Sequence, residues 1–410
     1  MNIIETLQIS SDNKLKYGLV CSLLLGLLLV YFNKLVNQNK TGDNKVKNSN
    51  NNNKKLEIKQ WTVEPVDSSF HWQSATPLKS FPFKDADYKL TMGIKNLQPQ
   101  DWLLIENSYK QVLQIKDKII HNQHPDYPGI DMRNNTVFKT DEAKPAIIEF
   151  YNLVIDYMIK KYPMHFKINH NNGDNEENND GESVYNNIID RTFPIKVDSS
   201  YDSDTILDFL SQTIEEDFII LLKDPTRIDE KDGDEYFFKA GIFAFAAGFN
   251  PRDRFNTPLS FIHHPIPGYE SKLKLSMNRF FNRIQPGQFV TRSNFSVQTH
   301  NKYYVDDSNK GHNLPAGFEQ KPLNRHDLDF DNQVHYRSER QTLTKLPNSG
   351  AIIFTIRTYL LPMSKIKQES AQVKQNFIGA INRFPDDIKL YKRAAEWAPP
   401  VTEYLQDNDI

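Results

Sequence analysis

The chain has 410 residues, of which 38% are apolar and 12% aromatic, so it can bury one large core or two small ones. Its formal net charge of −2 lacks the basic excess that binds a nucleic-acid backbone, so nucleic acid is not an expected partner. The single cysteine, Cys21, lies near the N-terminus, which excludes a disulfide or a thiolate metal cluster from the rest of the chain.

After a polar tail (1–16), residues 17–36 are predicted to form a transmembrane anchor. Tyr17 to Phe32 contains no charged residue, and Leu35 and Val36 can lengthen this stretch toward the length of a spanning helix. The alternative is a cleaved signal peptide, but the leading segment is partly acidic and no small-x-small cleavage site follows. More lysines follow the span than precede it, which predicts a soluble domain that faces the cytosol.

The rest of the chain is predicted to be one domain, 60–410, behind a flexible linker, 37–59. The linker is rich in Asn and Lys, a composition that cannot bury enough apolar surface to fold. A second polar tract, HNNGDNEENNDGE, predicts a disordered insertion at 168–184.

Helices are predicted in the first half of this domain. Pro145 suits a first helical turn, and apolar residues follow it at three- and four-residue spacing, which is typical of a buried amphipathic helix. A second helix is predicted over Gln98 to Ile120, and a third begins at Asp204 as its cap.

Strands follow, because three segments are dense in β-branched and aromatic residues with partial alternation. Turn-like residues separate the first two, which favours an antiparallel or mixed sheet and an α+β fold class. The segments are Asp217–Leu222, Glu235–Gly248 and Gly350–Leu361.

The common motifs for nucleotide hydrolysis, zinc proteolysis and serine hydrolysis do not occur in the sequence. The notable histidines stand in FIHHPIPGYE, where His263 and His264 precede two prolines and a glycine. Such a stiff turn can hold an imidazole rigidly, although most His pairs of this kind are surface turns or hydrogen-bonded core residues. A zinc site would need further ligands, whereas a haem iron needs only one axial ligand from the chain.

Four blocks of the sequence resemble, in order, the haem-dependent oxidative N-demethylase-like family. They begin at FPFKDADYKLTMGIKNL, Phe81 to Leu97, and continue through FIHHPIPGYESKLKLSMNRFFNRIQPGQFVTRSNFS, SERQTLTKLPNSGAIIFTIRTYLLPM and RFPDDIKLYKRAAEWAPPVTEYL. This resemblance implies a PAS-like antiparallel sheet with surrounding helices. It also implies haem b, dioxygen, a small amine substrate, and oxidation or N-demethylation of that amine by a monooxygenase-type reaction.

The resemblance further implies that electrons come from NADPH through a separate electron-transfer protein, since the chain has no cysteines for an iron–sulfur cluster. Two alternatives remain open from the sequence. One is a non-catalytic haem or gas sensor, and the other is a scaffold that has kept the fold without haem.

By this resemblance, His263 is the predicted axial ligand of the haem iron, with His264 at a variable position. Arg292 is predicted either to stabilise negative charge that develops on oxygen or to hold a haem propionate, against the alternative of a surface ion pair. Glu339 is predicted to bind an ammonium-type substrate and take its proton.

The remaining predictions concern contacts to the cofactor. Arg340, Arg357 and Tyr269 are predicted to contact the cofactor, although Glu339, Arg340 and Gln341 also fit a buried structural network. The polar stretch Gln298 to Tyr336 does not align with the family, so the resemblance does not define the edge of the pocket or the choice of substrate.

Overall fold

A computed structural model of the protein describes residues 62–169, 182–306 and 310–407. The predicted tail (1–16), anchor (17–36) and linker (37–59) lie outside the described residues, as does most of the predicted insertion. Within the described ranges, no helix combines the length and the apolar character that crossing a membrane requires.

The described part of the chain contains ten α-helices, five of which begin after His263. They are α1 (Tyr109–Ile120), α2 (Met132–Thr136), α3 (Lys144–Lys161), α4 (Ser203–Thr213), α5 (Leu259–His263), α6 (Lys274–Arg283), α7 (Met363–Lys367), α8 (Ala371–Asn382), α9 (Asp386–Tyr391) and α10 (Ala394–Gln406).

Ten strands are described as well, and the longest lie in the second half of the chain. They are β1 (Lys95–Asn96), β2 (Val137–Lys139), β3 (Phe166–Asn169), β4 (Ser183–Asn186), β5 (Arg191–Pro194), β6 (Asp217–Lys223), β7 (Tyr236–Ile242), β8 (Phe289–Gln298), β9 (His335–Lys345) and β10 (Ile352–Pro362).

The predicted α+β class is confirmed, and the main sheet is antiparallel throughout. Its seven strands run in the order β1-β8-β9-β10-β6-β7-β2. A separate antiparallel sheet pairs β3, β4 and β5. All three strands predicted from the sequence are present, at β6, β7 and β10, although β7 ends at Ile242, six residues before the predicted end at Gly248.

The helix predicted after Pro145 is confirmed as α3, and its apolar face, including Ile147 and Phe150, is fully buried. The helix predicted over Gln98–Ile120 is wrong in its first part, because α1 begins only at Tyr109. The backbone carbonyls of Trp102 and Leu104 accept hydrogen bonds from arginines of the sheet, so this segment is irregular instead of helical.

Two boundaries also differ from the sequence-based prediction. The N-cap of α4 is Asp202, whose side chain accepts from the Thr205 N–H at 2.9 Å, and Asp204 lies inside the helix. The predicted insertion is narrower than 168–184, since residues 168–169 end β3 and residues 183–184 begin β4.

Two apolar cores flank the main sheet. The larger core contains α1, α3 and α4 with the buried residues of β6 and β7. The smaller core lies under the C-terminal helices and is built around Phe83, Tyr336, Phe377 and Trp397. The long central strands β8, β9 and β10 therefore carry side chains that reach both cores.

Candidate haem site

The helix that carries His263, α5, is held at its start by a buried carboxylate. Glu235 accepts from the Ser260 backbone N–H at 2.6 Å, from the Ser260 hydroxyl at 2.5 Å and from the amide of Asn278 at 2.6 Å. A short helix is marginal by itself, so these bonds fix where α5 begins and which way its last residue faces.

The helix ends abruptly after His263. Pro265 and Pro267 lack the backbone N–H groups that would continue it, and Gly268 adopts a φ of 76° that side chains disfavour. A short π-helix, Tyr269–Leu273, follows and leads into α6. This turn folds Tyr269 back against the histidine.

The ring of His263 is fixed by two contacts. Its Nδ1 lies 2.8 Å from the Leu259 carbonyl, and since a carbonyl only accepts, Nδ1 carries the proton. The Tyr269 ring stacks on it with centroids 5.2 Å apart and planes 16° from parallel. Nε2 is therefore the unprotonated nitrogen, and it has no hydrogen bond to any described residue.

Burial, assisted by the positive charges of Arg292 and Arg254, lowers the pKa of His263 to about 4, and the hydrogen bond to the Leu259 carbonyl only partly opposes this shift. The ring is therefore neutral at pH 7, which is the form that ligates a metal. His264, the next residue, is exposed. The two adjacent histidines thus have different environments, and only His263 has the fixed tautomer that ligation requires.

Glu339 lies on one face of the central sheet, opposite Asn294 of β8 and Thr358 of β10. Its carboxylate accepts from Gln341 at 2.9 Å and from Asn294 at 3.4 Å. Burial would raise the pKa of Glu339, but the charges of Arg337 and Lys310 outweigh it and hold the pKa below the ordinary value. The group is an ionised carboxylate at pH 7.

Arg292 lies on the same face, because it pairs with Gln341, two residues along from Glu339. Its buried Nε has no hydrogen-bond partner in the described structure, and burial holds the pKa of its guanidinium below the usual range. Since a buried donor without an acceptor is costly, this atom indicates that the surroundings of Arg292 are incomplete without a ligand.

Five polar residues around this face share an unusual environment. Each keeps some solvent-accessible area, yet protein atoms surround it densely, which indicates a recess in the surface. They are His263, Arg292, Glu339, Tyr391 and Lys392.

Arg340 and Arg357 lie on the other face of the sheet and are paired directly across β9 and β10. Arg340 donates to the backbone carbonyls of Asp101 and Trp102. Arg357 forms ion pairs with Glu106 at 2.8 Å and Glu216 at 3.1 Å, and a further one with Glu215. Both guanidinium groups bind protein acceptors on that other face, so the structure does not bring these two predicted cofactor contacts to the recess.

Several residues of the site were missed by the sequence analysis. Glu235 positions α5 but lies in a segment interpreted only as core. Lys310 comes from the stretch that did not align, while Tyr391 and Lys392 lie inside a matching block, RFPDDIKLYKRAAEW, that had no assigned function. The position of Lys392 in that block was the one available signal.

The residues present fit a haem. One fixed neutral imidazole leaves Nε2 open, and an arginine with an unsatisfied Nε lies close enough to affect the pKa of that imidazole. This is the donor set of a porphyrin site, in which one axial nitrogen from the protein suffices. Among the described residues no cluster of three His, Cys, Asp or Glu side chains could hold a metal ion without such a macrocycle.

Comparison with known protein families matches residues 93–402 to "Haem-dependent oxidative N-demethylase, alpha subunit-like". The match covers about three quarters of the 410 residues. The chain belongs to this family. The haem-dependent oxidative N-demethylase-like assignment made from the sequence blocks is thereby confirmed, and the description of that family names haem dependence and an oxidative reaction.

The family is also described as alpha-subunit-like, a term for a chain that resembles one subunit of an assembly. The matched region contains the whole recess, from His263 to Lys392. A separate open groove of about 710 Å³, which lies between α8 and the end of α10 and includes Asp85, shares no residue with the recess.

Proposed function

We propose that this protein is a haem-dependent, oxygen-using oxidoreductase that oxidises or N-demethylates a small amine. The observation that carries the proposal is His263, whose Nδ1 is held by the Leu259 carbonyl while Nε2 is left without a protein partner. Haem b bound there would supply the iron at which dioxygen is activated. In this proposal His263 would hold the iron through its Nε2.

The chain's own residues have separate roles in this proposal. Leu259 and Tyr269 fix the His263 ring, the first through the carbonyl and the second by stacking. The ionised Glu339 binds the ammonium group of the amine and accepts its proton before oxidation. Arg292 directs its free Nε toward negative charge, either on oxygen or on a haem propionate.

We further propose that the fold is of the PAS type. Five neighbouring strands of the main sheet, β7-β6-β10-β9-β8, are the second, first, fifth, fourth and third of that set in chain order. All of their pairings are antiparallel, and this order supports the PAS-like fold implied by the resemblance. A helical segment with α5 and α6 connects the second strand to the third.

Electrons are proposed to come from NADPH through a separate reductase, because the only cysteine, Cys21, lies outside the region matched to the family. The protein is also proposed to be tethered to a membrane by residues 17–36, with the matched region on the cytosolic side. The uncharged run from Tyr17 to Phe32 supports the tether, and the lysines that follow it support the orientation.

The haem proposal is tested with the full-length protein, purified and mixed with haem b. We expect a Soret band that persists through gel filtration. His263→Ala should weaken haem retention by about tenfold or more, because the iron loses its axial nitrogen. The matched control is His264→Ala, which removes an exposed imidazole one residue away and should retain haem within about twofold. Equal retention by the two variants would rule out His263 as the ligand.

The catalytic proposal needs a second measurement. With NADPH, an electron-transfer reductase and a secondary amine, the haem-loaded protein should release formaldehyde. A protein that keeps its Soret band but forms no oxidised product with any small amine would instead be a haem or gas sensor. Absence of a Soret band would indicate the remaining alternative, a scaffold that has kept the fold without haem.

A further inference from the structure

Two lysines enter the recess from segments outside the main sheet. Lys310 comes from the connection between β8 and β9, and Lys392 follows directly after α9. The surface of Lys310 is only 8% exposed, so its ammonium group lies within the protein. Both lysines lie close enough to Glu339 for its negative charge to act on their pKa values.

Glycines allow Lys310 to reach this position. A Cβ on Gly248 would lie 2.2 Å from the Cγ of Lys310, so only glycine lets the lysine stem lie across the backbone there. Gly311 packs as closely on the other side, since its Cβ would lie 1.8 Å from the Leu390 carbonyl. These contacts hold the segment that carries Lys310 between Gly248, which follows β7, and Leu390, near the end of α9.

Lys392 is positioned by its own backbone and by a neighbouring tryptophan. Its N–H donates to the Ile388 carbonyl at 2.9 Å, and its carbonyl accepts from the Trp397 indole at 2.9 Å. The ammonium group donates to the Phe295 carbonyl of β8 at 2.8 Å. An ammonium group has three donors, so two remain free for a ligand.

The charges of this group do not balance. Three cations, Arg292, Lys310 and Lys392, all interact with one carboxylate, Glu339. Neither lysine forms an ion pair within the described ranges, and the contact of the Lys310 ammonium is the Tyr391 ring, 5.5 Å from its Nζ. Buried charges are normally paired, so the excess of positive charge favours an anionic ligand.

We propose that Lys310 and Lys392 form a carboxylate-binding site beside Glu339. The carboxylate is supplied either by a haem propionate or by the substrate itself. In the second case the substrate is an N-methylated amino acid, whose ammonium group binds Glu339 while its carboxylate binds the lysines. This inference deepens the proposed function, and its haem arm rests on that function.

The test compares ligands that differ only in the carboxylate. Full-length wild type, Lys310→Met and Lys392→Met are titrated with haem b and with its dimethyl ester, and the Soret band is followed. The same proteins, with and without haem, are titrated with N-methylglycine and with dimethylamine by calorimetry. The matched control is Lys389→Met, since Lys389 lies on α9 close to Lys392 but its side chain is 40% exposed.

We expect each of the two substitutions to weaken binding of a carboxylate-bearing ligand by about tenfold or more, with the uncarboxylated partner ligand unchanged. Loss of affinity for haem b but not for its ester assigns the site to a propionate. Loss for N-methylglycine with haem affinity unchanged assigns it to the substrate. Lys310→Arg and Lys392→Arg should restore most of the affinity, which separates loss of charge from loss of folding.

Wild-type protein that binds haem b no better than its ester, and N-methylglycine no better than dimethylamine, would overturn the inference. A wild type without any Soret band would overturn the proposed function, but the calorimetry on the haem-free protein would still decide whether the lysines bind a carboxylate.

Discussion

At the scale of single residues, the alternation of side chains along β9 places a candidate site residue and a structural residue on opposite faces of the sheet. Glu339 and Arg340 are neighbours in sequence, and both looked like site residues. Because successive strand residues point to opposite faces, Glu339 faces the recess while Arg340 binds the backbone at Asp101 and Trp102. The sequence left two interpretations open for these residues. The position of Glu339 fits the candidate site, and that of Arg340 fits the structural network.

Glu339→Gln tests the amine-binding role at this scale. The substitution keeps the size and removes the negative charge, so we expect amine binding to the haem-loaded protein to weaken by roughly ten- to a hundredfold. Haem affinity should change little. The measurement is an optical titration with dimethylamine.

Glu319→Gln is the control for that titration, because Glu319 is largely exposed and its salt bridge with Lys321 lies on the surface. Equal amine affinity in Glu339→Gln and wild type would show that the carboxylate has only a structural role.

The protonation of the two lysines predicts a dependence on pH. Burial lowers the pKa of Lys392 to about 7, assisted by the charge of Lys310, and burial lowers the pKa of Lys310 to about 8. Glu339 opposes both shifts, while Arg292 adds to the first and Arg337 to the second. Carboxylate binding needs the protonated amines, so affinity should be full below these values and fall as the pH rises through them.

N-methylglycine or haem b is titrated between about pH 6 and about pH 9 to measure this fall. Tyr391, which lies beside Lys310, has its pKa raised by burial to about 12 and stays neutral throughout. Lys310→Arg should remove the part of the fall that belongs to Lys310, because a guanidinium keeps its charge, and should leave the part that belongs to Lys392. A flat wild-type profile would be inconsistent with lysines whose pKa is lowered.

At the scale of elements, a buried lysine joins α1 to the start of β6. Lys116 is fully buried and donates to the carbonyls of Ile214, Glu215 and Glu216 at 3.1, 2.8 and 2.7 Å. It also lies 3.7 Å from the buried carboxylate of Asp217. The polar bonds that hold this helix to the sheet therefore depend on one ammonium group.

Lys116→Met should destabilise the protein by about 3–5 kcal/mol, because Asp217 is left as an uncompensated buried charge and three carbonyls lose a donor. Lys110→Met, an exposed position on the same helix, should cost no more than about 0.5 kcal/mol. Both are measured by urea unfolding. A small effect at Lys116 would mean that water replaces its bonds.

At the scale of the whole molecule, the recess is built from residues of elements that belong to the two apolar cores. His263 comes from α5 beside the larger core, and Lys392 comes from the helices that cover the smaller core. The C-terminal helices thus contribute to the site as well as to the smaller core, and the family match extends through them to residue 402.

Phe377→Ala tests the contribution of the smaller core. Phe377 is fully buried and its ring lies 4.9 Å from that of Phe83, so the cavity left by its removal should cost about 3–5 kcal/mol in the free energy of unfolding. Phe318→Ala, a half-exposed control, should cost far less. Similar unfolding midpoints for the two variants would contradict the assignment of a second core.

The sequence by itself determined the α+β class, three of the long strands, the α3 helix and the family, because each depends on local pattern or on the order of the blocks that resemble the family. It also singled out His263, since a Pro-stiffened turn is a local feature. The cap of α4 and the start of α1 were missed, since each depends on bonds that the residue types did not specify.

Only the tertiary structure decided which polar residues share one recess. Strand register placed Glu339 and Arg292 on one face and Arg340 and Arg357 on the other, and register is set by pairing between distant segments. Lys310 and Lys392 are far apart in the chain and meet because Gly248 and Gly311 permit close backbone packing. Such proximity is a property of the folded chain, because no local pattern encodes which distant segments will pack together.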